Sequence, residues 1–479
     1  MTGRESTGNK IHNRTIFTGD NLHVMRGIRS ESVDLIYLDP PFNSKHDYAA
    51  PIGSKAAGAE FKDTWTLSDI DLEWWGEISE SHPGLYKLLE AVREVGGKSM
   101  MSYIIYMSIR LIEMARVLKP TGFIYLHCDP TASHYLKLCM DEVFGSSNFR
   151  NEIIWERNSG RTKIKHQDGH TSSWGTQHDV LFLYSKSSQT PNLKLLYVPD
   201  DKKFPLKEPD GREFSLAPIE LAAGMGRRPN QEFTYKGYRP KHGWRFIKKS
   251  LIELDRQKLI HWNDKGKPYK KLYKADHKGK PISNIWSDID AVRGKEKQGY
   301  PTQKPLALME RIILASSREE DVVLDPFCGC ATTCLAAEKL GRKWIGIDVS
   351  ELAAKLIKAR MLDAARAKDG KQETIDRFTT GAGQIIHRTD LPKQHAQRTP
   401  CLKNLLYGKQ EGICNGCCQH FQIRLMDIDH IVATALGGQD IDDNKQLLCS
   451  SCNRIKGKKS MAALKARLRE LSIISRDTC

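Results

Sequence analysis

At 479 residues the chain is too long for one ordinary core, and 39% hydrophobic with 28% charged side chains is a globular rather than a disordered composition. A formal charge of +16 favours a phosphate-bearing partner, chiefly nucleic acid, over an acidic one. The first fifteen residues hold no apolar signal core, and the most apolar long stretch, Met100 to Leu118, is interrupted by Arg110, Glu113 and Arg116, so neither export nor a membrane span is expected.

In chain order, Val33 to Leu38 reads as a buried strand that runs into Asp39-Pro40-Pro41-Phe42. Met101 to Leu118 reads as an amphipathic helix stopped by Lys119-Pro120-Thr121-Gly122, with a strand at Phe123 to Leu126 behind it. From about residue 155 to 300 the pattern turns irregular, rich in lysine and aromatics, as in Gly243-Trp244-Arg245-Phe246, and suits an insertion with its own surface. Val322 to Leu324 is again strand-like and leads into Asp325-Pro326-Phe327-Cys328-Gly329-Cys330-Ala331. A helix through Leu340, a turn at Gly341 and a strand from Lys343 to Ile347 ending at Asp348 follow. This alternation predicts an α/β fold with a doubly wound, mostly parallel sheet. Residues 366–399 are polar and weakly periodic, as a linker would be, and a small module occupies about 400–465.

Ligands of such sheets bind at the carboxyl ends of the strands, so the two loops are the places to look for chemistry. In Asp39-Pro40-Pro41-Phe42 the prolines fix φ and remove amide donors, which leaves carbonyls to point inward, and Phe42 offers a stacking face. A carboxylate and a carbonyl accepting the two N–H bonds of an aryl amine would raise its nucleophilicity, and Asp39 with the Pro40 carbonyl are the candidates. The small-residue turn from Asp325 through Phe327 and Gly329 exposes amides to a polar ligand, and Asp348 is placed to accept from ribose hydroxyls. Taken alone, each loop is also compatible with a plain turn.

Six of the twelve cysteines, Cys401, Cys414, Cys417, Cys418, Cys449 and Cys452, crowd into the C-terminal segment. Cys414-x-x-Cys417 and Cys449-x-x-Cys452 have the spacing of two knuckles closing one tetrahedral zinc site, with Cys418 the weaker alternative ligand. Cys128, Cys139, Cys328, Cys330 and Cys334 read as small buried hydrophobes.

With these residues in view, the span from about Ile11 to Leu362 resembles the amino-methyltransferases of bacterial DNA modification, in the permuted beta arrangement where the catalytic loop precedes the recognition insertion and the donor loop comes last. The resemblance implies a domain over 11–365 with the S-adenosylmethionine-dependent methyltransferase fold, target recognition in 155–300, and methyl transfer to a flipped base in double-stranded DNA. It implies that Asp20 of Gly19-Asp20 contacts the adenine of the donor. It further implies that Thr302-Gln303-Lys304-Pro305 holds the methionine carboxylate, with Asp325, Phe327, Gly329 and Asp348 completing the donor site. Ala331 departs from the family's Phe-x-Gly-x-Gly, and matters if that position needs φ > 0. Asp rather than Ser at position 39 favours adenine N6 over cytosine N4 as the acceptor.

The module from Cys414 to Gly457 resembles the HNH nucleases, a zinc-bearing ββα-metal unit. In that resemblance His430 is the general base, Asp429 and Asn453 ligate magnesium or manganese, and Asn444 braces the hairpin that carries His430. The expected protein is a DNA adenine methyltransferase with a fused endonuclease, acting in restriction-modification or DNA defence and located in the cytoplasm. Its oligomeric state, a dimer included, is left open. Two other readings remain: an N4-cytosine methyltransferase whose zinc module only binds DNA, and a DNA-binding nuclease with an inactive methyltransferase half.

Overall fold

The computed structural model describes residues 13–42, 72–157, 174–188, 193–226, 228–300, 302–368, 384–390 and 401–475, together with four two-residue strands at 48–49, 60–61, 166–167 and 170–171. Most of the stretch read as a linker, 369–383 and 391–399, lies outside the described residues, as do position 11 and positions 158–165. Among the described residues no helix is long and apolar enough to cross a membrane.

The chain opens with β1 (Thr15–Thr18), α1 (Asn21–Arg26) and β2 (Val33–Leu38), then α2 (Leu72–Ser81) and α3 (Pro83–Val117). Next come β3 (Leu118–Cys128), α4 (Pro130–Phe144), β4 (Phe149–Glu156) and β5 (His178–Ser185). After a separate unit, described below, they are followed by β10 (Ile285–Trp286), α6 (Leu306–Ser316), β11 (Val322–Asp325), α7 (Thr332–Lys339), β12 (Lys343–Asp348), α8 (Glu351–Lys368) and β13 (Ile386–Arg388).

Nine strands form one sheet in the order β10-β4-β5-β3-β2-β11-β12-β1-β13. It is parallel except at β5, which runs antiparallel to both β3 and β4. The doubly wound α/β sheet read from the sequence is therefore present, and its central strands are apolar on both faces: Leu35, Ile36, Leu38, Leu324 and Ile347 are fully buried.

Three expectations need adjusting. The helix does stop before Lys119, at Val117, but Lys119 to Gly122 form no open turn. Pairing with β2 slips from Val33↔Leu118 to Leu35↔Phe123, so the four turn-forming residues are absorbed as an irregularity inside a single strand. The boundaries of the insertion are narrower than 155–300, because β4, β5 and β10 belong to the main sheet, and Val180 to Tyr184 are buried by it. Inside the supposed linker, β13 adds an edge strand parallel to β1, with Thr15↔Ile386 in register.

Residues 195–283 form the separate compact unit. It contains β6 (Leu206–Lys207), β7 (Glu213–Pro218), α5 (Lys248–Arg256), β8 (Ile260–Trp262) and β9 (Pro268–Tyr273), and its antiparallel sheet runs β6-β7-β9-β8. Its core is small and aromatic: Trp244 is wholly buried with Ile219 and Leu251, packed by Phe233, Tyr235 and Tyr238.

The C-terminal segment contains α9 (Leu402–Lys409), β14 (Met426–His430), β15 (Lys445–Cys449), α10 (Ser450–Lys456) and α11 (Met461–Glu470). It packs into the same unit as the large sheet rather than standing apart. Helices α2 and α9 meet at two glycines: a Cβ on Gly76 would lie 2.5 Å from Asn404 Cα, and one on Gly408 would lie 2.0 Å from the Leu72 carbonyl oxygen. Trp75 meets Tyr407 edge-on at 6.1 Å, the Ile423 amide donates to Ser79 Oγ at 3.3 Å, and Tyr86 Oη hydrogen-bonds His420 Nδ1 at 2.9 Å.

Candidate active site and metal centre

One cleft of about 570 Å³ opens at the carboxyl ends of β1, β2, β11 and β12. Both loops singled out in the sequence line it: Asp39, Pro40, Pro41 and Phe42 on one side, and Asp325 to Cys330 with Asp348 on the other. Asp20, Thr302 and Lys304 line it too.

On the donor-loop side the turn is held by backbone donors. The Gly329 and Ser350 amides each donate to an oxygen of Asp348 at 2.8 Å, which leaves that carboxylate further lone pairs for hydroxyls. Gly329 has φ +49, and a Cβ there would press to 3.0 Å from the Tyr300 ring, so any side chain would strain the backbone and crowd that ring. Ala331 caps α7 with φ 55 and ψ 41, a left-handed conformation. The departure from glycine therefore falls at a position that does require positive φ. Asp325 is buried and accepts from the Phe327 amide at 3.1 Å; burial pushes its carboxyl up to about 7, with the charges of Asp39 and Asp348 adding to the rise and hydrogen bonds from Thr333 and the Phe327 amide opposing it.

Asp20 does more than face the cleft. Its Oδ1 caps α1 by accepting from the Leu22 amide at 2.7 Å, and its Oδ2 takes Arg110 Nη2 at 2.7 Å. Arg110, with 1% of its side chain exposed, also donates to Asn21 Oδ1 at 2.7 Å and lies 3.4 Å over the Tyr106 ring. Asn21 in turn donates to the Pro326 carbonyl at 2.7 Å, so one buried guanidinium ties the Gly19-Asp20 turn to the donor loop. Sequence reasoning assigns Arg110 no such role. A cation in an apolar helix is the available signal, and by itself it reads only as an interruption of a membrane span.

On the other side, Asp39 Oδ2 accepts from Lys304 Nζ, while Asp39 Oδ1 is buried with no hydrogen-bond partner. The two side chains are 14% and 10% exposed. Lys304, expected at the donor's carboxylate, thus stands on the base-side carboxylate. Beneath Phe42 lies a second feature missed in the sequence: Tyr37 Oη bonds His127 Nδ1 at 2.9 Å and His127 Nε2 bonds Asp179 Oδ2 at 3.2 Å, all three residues being buried. The His127 ring lies 26° from parallel to Phe42, with centroids 6.1 Å apart. Burial works against the charge of Asp179, but the His127 hydrogen bond and the charges of His127, Lys304 and Arg157 outweigh it and hold the carboxyl below its ordinary range. His127 and Asp179 sit in β3 and β5, where they read as ordinary strand residues.

In the C-terminal segment the sulfur atoms of Cys414, Cys417, Cys449 and Cys452 lie within 4.8 Å of one another, all four buried. A tetrahedral zinc with Zn–S near 2.3 Å has sulfur-to-sulfur edges of about 3.8 Å, so a small contraction would close the set. The Gly416 and Cys449 amides donate to Cys414 Sγ at 3.3 and 3.2 Å, the arrangement a thiolate ligand needs. Cys418 is not among the four.

Of the two residues expected to hold a second, harder cation, Asp429 is held by a lysine and an amide, and Asn453 turns its amide nitrogen to a neighbouring carboxylate. Asp429 Oδ2 accepts from Lys456 Nζ at 2.8 Å and from Gln446 Nε2 at 3.1 Å, and Asn453 Nδ2 approaches Asp427 Oδ2 at 3.4 Å. The cysteine quartet is the only cluster of three or more His, Cys, Asp or Glu ligand atoms among the described residues. His430 Nε2 bonds Asp440 Oδ1 at 3.0 Å, and Asn444 ties Val432 through its amide and carbonyl at 2.9 and 3.0 Å.

A doubly wound sheet whose strand ends bring an aromatic-flanked carboxylate and a glycine-bearing turn into one cleft defines an α/β protein with a ligand site built from both loops. Residues 33–359 match the DNA methylase family of N6 and N4 enzymes, and the chain belongs to that family; residues 414–459 match the HNH endonuclease family. The chain is 34% identical over 267 residues to the type II methyltransferase M.EcaI of Enterobacter cloacae, covering 54% of this chain and 57% of that one. It is 27% identical over 359 residues to the type III restriction-modification enzyme StyLTI Mod subunit of Salmonella typhimurium, covering 70% and 51%. It is 26% identical over 366 residues to the DNA adenine methyltransferase YhdJ of Escherichia coli, covering 76% and 87%. The chain spans little more than half the length of the first two.

Proposed function

We propose that the protein transfers a methyl group from S-adenosylmethionine to the N6 amine of adenine flipped out of double-stranded DNA, and that its C-terminal module is a DNA endonuclease. The observation that carries the first part is Asp39 Oδ1: a buried carboxylate oxygen with no partner, on the wall of the cleft that the Asp325–Cys330 turn also lines. A buried acceptor left unmet costs free energy of about 1–3 kcal/mol unless a ligand donor satisfies it. An exocyclic N–H is such a donor.

The donor, when bound, supplies an electrophilic methyl on sulfur. Phe42 and the His127 ring below it give the extruded base a stacking bed, and Asp39 Oδ1 with the Pro40 carbonyl accept the two amine N–H bonds, which localises the nitrogen lone pair for attack. The proton that the amine must give up on methylation would pass to Asp39 Oδ1, the acceptor already facing it. Asp20, Asp348 and the 325–329 turn, braced by Arg110 and Asn21, suit the adenosine of the donor, and Thr302, also on the cleft wall, is the candidate for its methionine carboxylate. Asp at position 39 supports adenine over cytosine. For the nuclease, His430 oriented by Asp440 is the base that takes the proton of water.

Labelled methyl incorporation into unmodified DNA, followed by nucleoside analysis, is the test. N6-methyladenine that disappears in Asp39→Ala and survives in His430→Ala is the expected result, and N4-methylcytosine would overturn the choice of base. Plasmid cleavage that is lost in His430→Ala supports the nuclease, and wild-type protein that never cuts DNA of any methylation state would remove it.

A further inference from the structure

We propose that Lys304 is a positioning residue for Asp39, clamping one carboxylate oxygen so that the other faces the base, rather than a ligand for the donor's carboxylate. The proposal rests on the methyl-transfer reading above. Lys304 Nζ donates to Asp39 Oδ2, with both side chains nearly buried. The same ammonium lies 5.3 Å from the Phe42 ring centroid, over the residue offered as the stacking face, and its remaining reach is toward the Thr302 carbonyl at 3.5 Å. Asp179, on the base side of the cleft, also feels its charge. Finally, Asp39 Oδ1 is left buried and unmet.

A carboxylate on a strand-end loop has a free terminal torsion, and its two oxygens are equivalent until something distinguishes them. The Lys304 ammonium does so. With Oδ2 fixed, rotation of the group would break a desolvated ion pair, so Oδ1 stays aimed at the cleft and the base amine meets a preset acceptor. A lysine suits this better than an arginine, because a compact ammonium can bond one oxygen and leave the other wholly to the base, whereas a guanidinium fork engages both and leaves the base only a shared oxygen. A donor carboxylate at Lys304 would add a second anion beside Asp39, and the ammonium would have to serve both.

The test is a split between donor binding and turnover in the full-length protein. Calorimetric titration of S-adenosylmethionine into Lys304→Met, without DNA, is expected to give a Kd within about threefold of wild type, while kcat at saturating donor falls on the order of 100-fold, as for loss of one preorganising contact. Lys304→Arg is expected to be nearly as slow with unchanged donor affinity. In an Asp39→Asn background, where the clamped anion is gone, Lys304→Met is expected to cost kcat almost nothing more. A Kd raised about tenfold or more with kcat preserved would overturn the proposal in favour of the donor's carboxylate, and so would multiplicative losses in the double variant. Thermal melts of all three variants separate misfolding from the expected pattern, and if Lys304→Met unfolds, the Lys304→Arg split and its combination with Asp39→Asn decide. Wild-type protein that incorporates no methyl would bring down the reading and the proposal together, whereas a failed split removes the proposal alone.

Discussion

In both chemical regions of this molecule a lysine stands on the carboxylate that the sequence motif makes central, and the two pairs differ in what they leave over. Lys304 takes one oxygen of Asp39 and leaves the other buried, unmet and beside a cleft. Lys456, itself fully buried, takes Asp429 together with the His430 carbonyl at 2.7 Å, and Gln446 adds a further donor to the same carboxylate oxygen. A binding site keeps an unsatisfied acceptor for its ligand. A brace satisfies its acceptor internally. The strand-end cleft thus keeps a buried acceptor for a ligand, while the contacts to Asp429 Oδ2 fasten the β14–β15 hairpin to α10 and leave its Oδ1 outside the buried, unmet set.

The sharpest way to break this contrast is to remove the metal from the quartet. Structural zinc sites carry on the order of 10 kcal/mol of folding free energy, so Cys452→Ser or chelation is expected to unfold the C-terminal module and expose the α2–α9 contact, read as rapid proteolysis after residue 400 and a change in tryptophan emission from Trp75. A module that resists chelation would show that the Asp429–Lys456 brace suffices alone.

A second effect lies in the donor loop. The folded pKa of Asp325, about 7, exceeds its ordinary value of 3.8, so the native state binds the extra proton between these values. Its stabilising contribution is complete below about pH 4 and is lost as pH rises through about 7. A difference of about three pH units corresponds to at most about 4 kcal/mol. Relative to Asp325→Asn, the donor-free wild type is expected to lose stability from about pH 4 to about pH 7 and then level off, measured by denaturant melts at each pH. A constant difference would contradict the raised carboxyl.

Next in size is Arg110→Met. Loss of its charge-assisted bonds to Asp20 and Asn21 is expected to cost about 2–3 kcal/mol, less than a fully buried pair because Asp20 is 37% exposed. Donor affinity should fall in the same variant while zinc content stays the same; unchanged donor binding would detach the bracket from the site. The smallest effect belongs to Ala331→Gly. Relief of its left-handed backbone in Ala331→Gly is worth about 1 kcal/mol, and the buried methyl lost in exchange about 0.8, so stability should stay within about 0.5 kcal/mol. Ala331→Val should lose more than about 2 kcal/mol, since a branched side chain strains further at φ 55.

What can be read in advance follows a physical line. Asp39, the 325–331 turn and Asp348 are legible because strand-end loops concentrate unusual residues in short contiguous runs, and the four cysteines because metal geometry imposes fixed spacing. Arg110, His127 and Asp179 are not, because each acts through partners 89, 90 or 52 residues away along the chain and looks, in its own segment, like one polar residue in an apolar element. The insertion reads too wide for a related reason. Strand β5 carries an apolar run from Val180 to Tyr184, but it lies among irregular sequence, and only pairing with β3 and β4 shows that it belongs to the sheet.

The close approach at Gly76 and Gly408 has a practical side. Because two backbones nearly touch there, any side chain larger than hydrogen pries the C-terminal segment off its seat and uncovers Trp75 and Tyr407 to water. The C-terminal module is thus no interchangeable cassette: grafted onto another carrier, it would arrive with an oily footprint and no matching berth, and should clump unless helix α2 travels with it.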